Sequence, residues 1–144
     1  MATSDLHQSL VRHLLSRIEG ELGTTASVFA DLGAASGIPK PPIIANSRPD
    51  ALVRCTVSRR VIIAEAKTRR DIVQFHTESQ LAAYFDFLAN ETCGELWLAV
   101  PWAGIDEMYF TAVRSRRLAG TLRVPFTLLG IGPTGDRCLR TVKG

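Results

Sequence analysis

The sequence predicts an α/β fold in which a central mixed β-sheet carries helices on both of its faces. Three observations support this prediction. Residues 5–22 repeat apolar side chains at the spacing of an amphipathic helix, and Gly23 ends the repeat. Runs rich in β-branched and apolar residues follow, which is typical of strands. A second helical stretch at 71–90 then leads into a short apolar strand, and this order of elements favours a layered architecture.

Local composition places the individual elements. The first strand is expected over 24–31, and the Gly- and Pro-rich residues 33–47 are expected to form a loop. Two strands over 50–57 and 60–68 are joined by a tight turn near Ser58-Arg59. The remaining expected elements are a buried strand over 95–101, a helix over 105–118 of which 108–113 could equally be strand, a strand over 123–131 and an edge strand over 136–142.

Length and composition restrict the functional classes. The 144 residues, 46% of them apolar and 22% charged, fit a single globular domain over 1–144 with its own core. No apolar stretch is long enough for a membrane span, and the first residues lack the pattern of a secretory signal. Three cysteines without CxxC spacing favour reduced thiols in a cytoplasmic protein. Of the 17 basic residues 14 are arginine, which favours a nucleic-acid partner because the guanidinium suits phosphate oxygens.

Glu65 and Lys67 stand on a strand that is otherwise apolar. Because side chains alternate between the two faces of a strand, both share one face with Ile63, and Ile62 lies on the other. Burying either charge alone is costly. A divalent cation beside Glu65, and a phosphate or an attacking water beside Lys67, would compensate these charges. The alternative is an ordinary ion pair on an exposed sheet face.

Asp50 brings a second carboxylate into the same neighbourhood. It opens the preceding strand, and a hairpin places that strand against the strand of Glu65. Two nearby carboxylates repel each other unless a cation lies between them. Carboxylates and a backbone carbonyl, for which Ala66 is the candidate, are the hard oxygen ligands that Mg²⁺ prefers.

The next helix adds two polar side chains, Gln80 and Tyr84. They are four residues apart, so they lie one above the other on one helix face. From that face they can point over the sheet end where Glu65 and Lys67 emerge, and offer amide and hydroxyl groups to a phosphate or a water. An ordinary amphipathic helix is the alternative.

Three short motifs together resemble the active site of the PD-(D/E)xK nuclease superfamily, in its RecB-like branch. The motifs are Pro49-Asp50, Glu65-Ala66-Lys67 and Gln80-x-x-x-Tyr84. The resemblance covers about residues 5–100 and implies a restriction-endonuclease-like core with the element order αβββαβ. It also implies that Asp50 and Glu65 bind Mg²⁺ or Mn²⁺, and that Lys67 positions or activates the attacking water.

The resemblance further implies a metal ligand from the first helix, and three residues compete for this role. His7 lies near the start of the helix, on its inward-facing stripe. Glu19 and Glu21 lie near the end of the same helix, where glutamates are ordinarily solvated charges. Ligation by a histidine together with carboxylates would shift the preference toward Mn²⁺. The sequence leaves the choice open.

Basic clusters supply candidate contacts to a nucleic-acid backbone. The candidates are Arg69 and Arg70, directly after the Glu-x-Lys strand, and Arg114, Arg116 and Arg117 on the last expected helix. Binding through them would be independent of sequence and sensitive to salt. A solvated charged face is the alternative. Trp102, after Pro101, is a candidate for stacking on a base.

The sequence therefore predicts a metal-dependent DNA nuclease of low sequence specificity. Cleavage of both strands of a duplex needs two copies or a partner, so a homodimer or a subunit of a larger complex is the expected assembly. The alternative is a catalytically silent nucleic-acid-binding or scaffold subunit of a repair or defence complex that keeps the nuclease fold. Residue types alone do not separate endonuclease from exonuclease activity, or DNA from RNA as the substrate.

Overall fold

A computed structural model of the chain describes residues 2–72 and 75–144. The helices are α1 (Ala2–Leu22), α2 (Arg69–Ile72), α3 (Phe75–Ala89) and α4 (Ile105–Leu118). The strands are β1 (Ala26–Ala30), β2 (Ala51–Cys55), β3 (Arg60–Ala66), β4 (Cys93–Pro101), β5 (Phe126–Ile131) and β6 (Cys138–Lys143). Short 3₁₀ turns cover Gly23–Thr25, Ala34–Ser36 and Trp102–Gly104.

The expected order of one helix, three strands, a helix and a strand is confirmed. The stretch 105–118, whose centre the sequence also allows as a strand, forms the helix α4. The helix expected over 71–90 corresponds to α2 and α3, and its positions 73 and 74 lie outside the described residues. The strands β1, β2, β3 and β5 are shorter than expected, β4 begins two residues earlier, and β6 covers 138–143 instead of 136–142, since local composition does not show where the pairing of a strand begins and stops.

The six strands form one mixed sheet in the order β1-β2-β3-β4-β5-β6. The first three strands are antiparallel, β3 to β5 are parallel, and β6 is antiparallel to β5. In the β2–β3 hairpin Ala51 pairs with Ala64, so the residues that follow in β3 lie opposite the residue that precedes β2. This register confirms the predicted hairpin and sets Asp50 beside Glu65.

The core lies on both faces of the sheet. On one face Leu10, Leu14 and Ile18 of α1 pack with Ile62 and Trp97. On the other face the buried cluster contains Ile63 and Leu98 of the sheet, Leu81 and Phe85 of α3, and Met108 of α4. Each fully buried aliphatic side chain contributes about 1.5–3 kcal/mol, so both helix layers are held by apolar burial. The prediction of a mixed sheet with helices on both faces is confirmed.

A glycine at the start of β4 allows α3 to pack closely on the sheet. A Cβ atom at Gly94 would lie 2.3 Å from the carbonyl oxygen of Leu88, near the end of α3. A backbone oxygen cannot move aside as a flexible side chain does, so only glycine permits this approach. The close contact fixes α3 over β4 and thereby fixes the face of α3 that carries the polar residues.

The longest helix, α1, is a surface helix. It has 21 residues, with a buried apolar stripe and exposed charged residues such as Arg12, Arg17 and Glu19 on its other side. Such an amphipathic pattern is typical of a helix that packs on a sheet from the solvent side. Within 2–72 and 75–144, no helix combines the length and the apolar character needed to cross a membrane.

Candidate functional site

The candidate site lies at the carboxyl end of β3, on the face of the sheet that packs against α3. Glu65 is 4% exposed and Lys67 is 9% exposed, so two opposite charges are almost fully removed from water. The Nζ atom of Lys67 lies 3.1 Å from Oε2 of Glu65 and donates a hydrogen bond of 2.5 Å to Oε1 of Gln80. The pair is therefore buried and shared with α3, unlike an ion pair on an exposed sheet face.

Asp50 joins this group through the backbone. The Asp50 N–H donates to Oε1 of Glu65 at 3.0 Å, and the Ala66 N–H donates to Oδ2 of Asp50 at 2.8 Å. These two bonds are a consequence of the hairpin register, which places the start of β2 opposite the end of β3. The two carboxylates thus lie close together, each bonded to the backbone of the neighbouring chain segment.

Of the three first-helix candidates, the structure brings only His7 to the site. Its Nε2 atom lies 3.0 Å from Oδ1 of Asp50. Glu21 instead pairs with Arg60, at the opposite end of β3, with a distance of 3.0 Å between Oε2 and Nη2. Glu19 is exposed and stands twelve residues after His7, which is about 18 Å along a helix.

The ring of His7 is more basic than an ordinary imidazole. The hydrogen bond to Asp50 raises the pKa of His7, and the negative charges of Asp50 and Glu65 add to this effect. Burial of the ring and the charge of Lys67 act in the opposite direction without cancelling the rise. The raised pKa favours the protonated form of His7, which is the form that pairs with the Asp50 carboxylate.

Glu65 is an unusually weak acid in this setting. Its burial raises the pKa of the carboxyl, and the charge of Asp50 raises it further. The nearby Lys67 ammonium and the hydrogen bond from the Asp50 backbone lower the pKa but do not restore the ordinary value. An additional positive charge between the two acids would favour the ionised form of both.

Tyr84 completes the buried polar group from α3. The side chain is fully buried, and its hydroxyl has no hydrogen-bond partner of good geometry within the described part of the chain. Burial raises the pKa of the phenol, the charges of Glu65 and Asp50 raise it further, and the nearby Gln80 amide offsets only part of the rise. Leaving a buried hydroxyl unpaired costs about 1–3 kcal/mol, so Tyr84 is a neutral hydrogen-bond donor held ready for a ligand or a water.

The carboxylate oxygens are all engaged by donors of the protein itself. Asp50 accepts from His7 and Ala66, and Glu65 accepts from Asp50 and interacts with Lys67. Accordingly, no group of three or more His, Cys, Asp or Glu side chains is arranged to hold a metal ion among residues 2–72 and 75–144. The donor types that the sequence predicts, two carboxylates and the Ala66 carbonyl, nevertheless suit Mg²⁺ or Mn²⁺, provided that His7 and Lys67 give up their contacts.

The candidate arginines fall into two groups. Arg69 and Arg70 are exposed at the start of α2, and Arg69 pairs with Glu107 at 3.2 Å. On α4, Arg114 lies 3.6 Å from Glu78 of α3, and Arg117 is exposed. Only the first group comes directly after β3 and Lys67 along the chain.

Arg116 is directed toward the protein's own core. Its guanidinium lies over the ring of Phe126, 4.9 Å from the ring centre, and donates to the Val124 carbonyl at 2.9 Å. This arrangement ties the end of α4 to the start of β5. The sequence cannot distinguish such an arginine from a surface one, because its partners are eight and ten residues away along the chain.

Sequence reasoning missed the link that fixes α2 next to the site. The Thr68 hydroxyl donates to Asp71 at 2.9 Å, and the Thr77 hydroxyl of α3 donates to the Asp71 carbonyl. Thr68-x-x-Asp71 is a helix-start signal of the type Ser/Thr-x-x-Asp/Glu, so the first of these bonds could have been found. This bond spans the start of α2, which carries Arg69 and Arg70 two and three residues after Lys67.

Comparison of the chain with protein-family models, with curated proteins and with solved structures gives no match. The likeness to the PD-(D/E)xK superfamily therefore rests on the motif residues themselves. A function for this protein is therefore inferred from the spatial arrangement of the motif residues and not from a relative of known activity.

Proposed function

We propose that the protein is a metal-dependent nuclease that hydrolyses DNA phosphodiester bonds, with a restriction-endonuclease-like core of the PD-(D/E)xK type. The observation that carries the proposal is the convergence of partly buried Asp50 with the buried residues Glu65 and Lys67. Burying a carboxylate beside a second acid and an amine costs stability, and groups with perturbed pKa values cluster at functional sites.

The topology is also compatible with this proposal. Three antiparallel strands lead into a parallel β4, with α1 on one face and α3 on the other. In this arrangement the acidic residues come from the hairpin, and the glutamine and tyrosine come from the helix between β3 and β4. The glutamine and tyrosine thus follow the Glu-x-Lys strand, which is the order of the motifs in the RecB-like branch that the sequence resembles.

In the proposed mechanism Asp50, Glu65 and the Ala66 carbonyl would hold Mg²⁺ or Mn²⁺. Such an ion supplies a bound water of lowered pKa and neutralises a phosphate oxygen. Lys67, freed from Glu65, orients the attacking water and stabilises the charge that develops on the phosphorus oxygens. His7 would be a further ligand of the ion or would hold the Asp50 carboxylate in place.

The two polar residues of α3 act on the substrate side. Gln80 already accepts a hydrogen bond from Lys67, so it fixes the position of the ammonium. Tyr84 can donate its unpaired hydroxyl to the water network or to a phosphate oxygen. Neither residue needs to change its protonation state.

Incubation of supercoiled plasmid and of a linear single strand with Mg²⁺, Mn²⁺ or EDTA tests the nuclease. The wild type is expected to cut in at least one metal and not in EDTA, whereas Lys67→Ala is expected to lose about 100-fold or more in rate. Lys143→Ala removes an exposed lysine of β6 and serves as the matched control, with the rate of the wild type. Intact DNA with the wild type in every metal would exclude the proposal.

A catalytically silent DNA-binding or scaffold subunit is the second candidate. It is favoured by one observation, namely that each carboxylate oxygen of Asp50 and Glu65 already has a partner in the protein. In this case His7 and Lys67 replace the cation permanently, and the group is a structural remnant. The response of the melting temperature to metal ions separates the two candidates.

A further inference from the structure

Two large aromatic side chains are exposed close to the candidate site. Phe75 is 82% exposed and Trp102 is 50% exposed, although both are costly to leave in water. Phe75 begins α3, two residues before Thr77, whose hydroxyl donates to the Asp71 carbonyl of α2. Phe75 therefore lies at the end of α3 that contacts α2, the short helix that follows Lys67 in the chain.

Trp102 lies at the same end of the sheet. The Lys67 N–H donates to the Ala99 carbonyl at 3.0 Å, and Trp102 follows Ala99 by three residues. A Cβ atom at Gly130 would lie 3.3 Å from Cα of Trp102, so the turn Trp102–Gly104 rests on β5. The tryptophan is therefore held on a fixed turn at the carboxyl ends of the parallel strands.

Two exposed arginines accompany these aromatic residues. A Cβ atom at Gly104 would lie 3.2 Å from Cγ of Arg69, so the Arg69 side chain runs along the turn that carries Trp102. Its partner Glu107 is 45% exposed in its side chain, and such surface pairs are worth about 0–1 kcal/mol. A phosphate can therefore replace Glu107 at little cost. Arg70 is exposed on the next position.

We propose that this aromatic–arginine surface, formed by Arg69, Arg70, Phe75 and Trp102, binds a single-stranded segment of DNA and delivers it to the site. The inference rests on the proposed function and names the form of its substrate. In a duplex the faces of the bases are covered by their neighbours, whereas unpaired bases can stack on aromatic side chains. Guanidinium groups beside the rings neutralise the phosphates of the same strand.

Binding to labelled oligonucleotides in EDTA tests this inference without requiring cleavage. Fluorescence anisotropy would compare a 20-nucleotide single strand of DNA with the duplex and with the RNA of the same sequence. The single strand of DNA is expected to bind about tenfold or more tightly than the duplex. Phe75→Ala and Trp102→Ala are each expected to weaken its binding by about 5- to 100-fold, and Trp102→Phe is expected to retain most of the affinity.

Matched variants at the other end of the sheet provide the controls. Leu122→Ala changes an equally exposed apolar residue, and Arg123→Gln changes an exposed arginine before β5. Both are expected to bind like the wild type, whereas Arg70→Gln is expected to reduce the salt dependence of binding by about one phosphate contact. Thermal unfolding of each variant verifies that it is folded.

The results separate this inference from the nuclease itself. Equal or tighter binding of the duplex, or unchanged affinity in Phe75→Ala and Trp102→Ala, would overturn the inference even if plasmid is cut. Tighter binding of the RNA than of the single-stranded DNA would overturn DNA as the ligand of the aromatic–arginine surface. Selective binding of the DNA single strand, without cleavage in any metal, would support the surface and exclude the nuclease.

Discussion

At the scale of single residues, the hydroxyl of Tyr84 indicates that this buried side chain has a functional role and not only a packing role. A side chain kept only for packing has no need of a buried hydroxyl without a partner, because phenylalanine fills nearly the same space. Burial raises the pKa of this hydroxyl, and the charges of Glu65 and Asp50 raise it further, so the phenol stays protonated. The unpaired hydroxyl therefore lowers the stability of the fold, and a hydrogen bond to a ligand or a water would offset this loss.

Tyr84→Phe is expected to leave the free energy of unfolding unchanged or to raise it by up to about 1 kcal/mol. The cleavage rate is expected to fall about tenfold, because the donated hydrogen bond is lost. Urea unfolding and plasmid nicking measure the two effects. Tyr109→Phe, on α4 and only half-buried, is the control and should change neither. A destabilised Tyr84→Phe protein with full activity would contradict this assignment.

At the scale of elements, a second ionic cluster secures the end of the sheet opposite the site. Arg60 at the start of β3 donates to Glu95 of β4 at 2.6 Å and to Glu21 of α1 at 3.0 Å. Trp97 donates to the same Glu95 at 3.1 Å. The Arg60 guanidinium thus connects two strands and a helix. Glu21, which the sequence alone allows as a metal ligand, is engaged in this ion pair and not at the site.

Glu95→Gln is expected to lower the free energy of unfolding by about 1–3 kcal/mol at pH 7. Burial opposes ionisation of Glu95, but the hydrogen bonds from Arg60 and Trp97 outweigh it and lower the pKa of the carboxyl. A lowered pKa stabilises the folded protein above the unfolded-state value of 4.5, and this contribution is lost as the pH falls through the folded-state value.

Urea unfolding of wild type and Glu95→Gln between pH 3 and pH 8 would measure this dependence. The difference between the two proteins should be constant above about pH 5 and should shrink below it. Glu91→Gln, whose partner Arg54 is 3.6 Å away and 42% exposed in its side chain, should cost less than about 1 kcal/mol. A difference between wild type and Glu95→Gln that persists unchanged at pH 3 would argue against the ionic role of Glu95.

At the scale of the whole molecule, the sequence predicts those features of the fold and of the site that depend on local residue pattern and on strand register. Periodicity finds the helices and strands, and a hairpin of fixed register is enough to bring Asp50 to Glu65. The choice between His7 and Glu21 depends instead on the direction in which α1 crosses the sheet. That direction is set by packing over many residues, and so is the inward turn of Arg116 onto Phe126.

Metal binding should act on the stability of the whole molecule because the site joins elements from both faces of the sheet. His7 comes from α1 on one face, Asp50 and Glu65 from the β2–β3 hairpin, and Gln80 and Tyr84 from α3 on the other face. An ion that binds the folded state at 100 times its dissociation constant adds about 2.7 kcal/mol to the free energy of unfolding.

For a chain of this length, that amount corresponds to an increase in melting temperature on the order of 5–10 °C. Differential scanning fluorimetry with Mg²⁺, Mn²⁺ or EDTA would measure it. Asp50→Asn should abolish the increase because it removes one of the two carboxylates, while Asp86→Asn, an exposed acid of α3, should keep it. A wild-type melting temperature that is the same in metal and in EDTA would mean that His7 and Lys67 neutralise the acids permanently, and would favour the silent subunit over the nuclease.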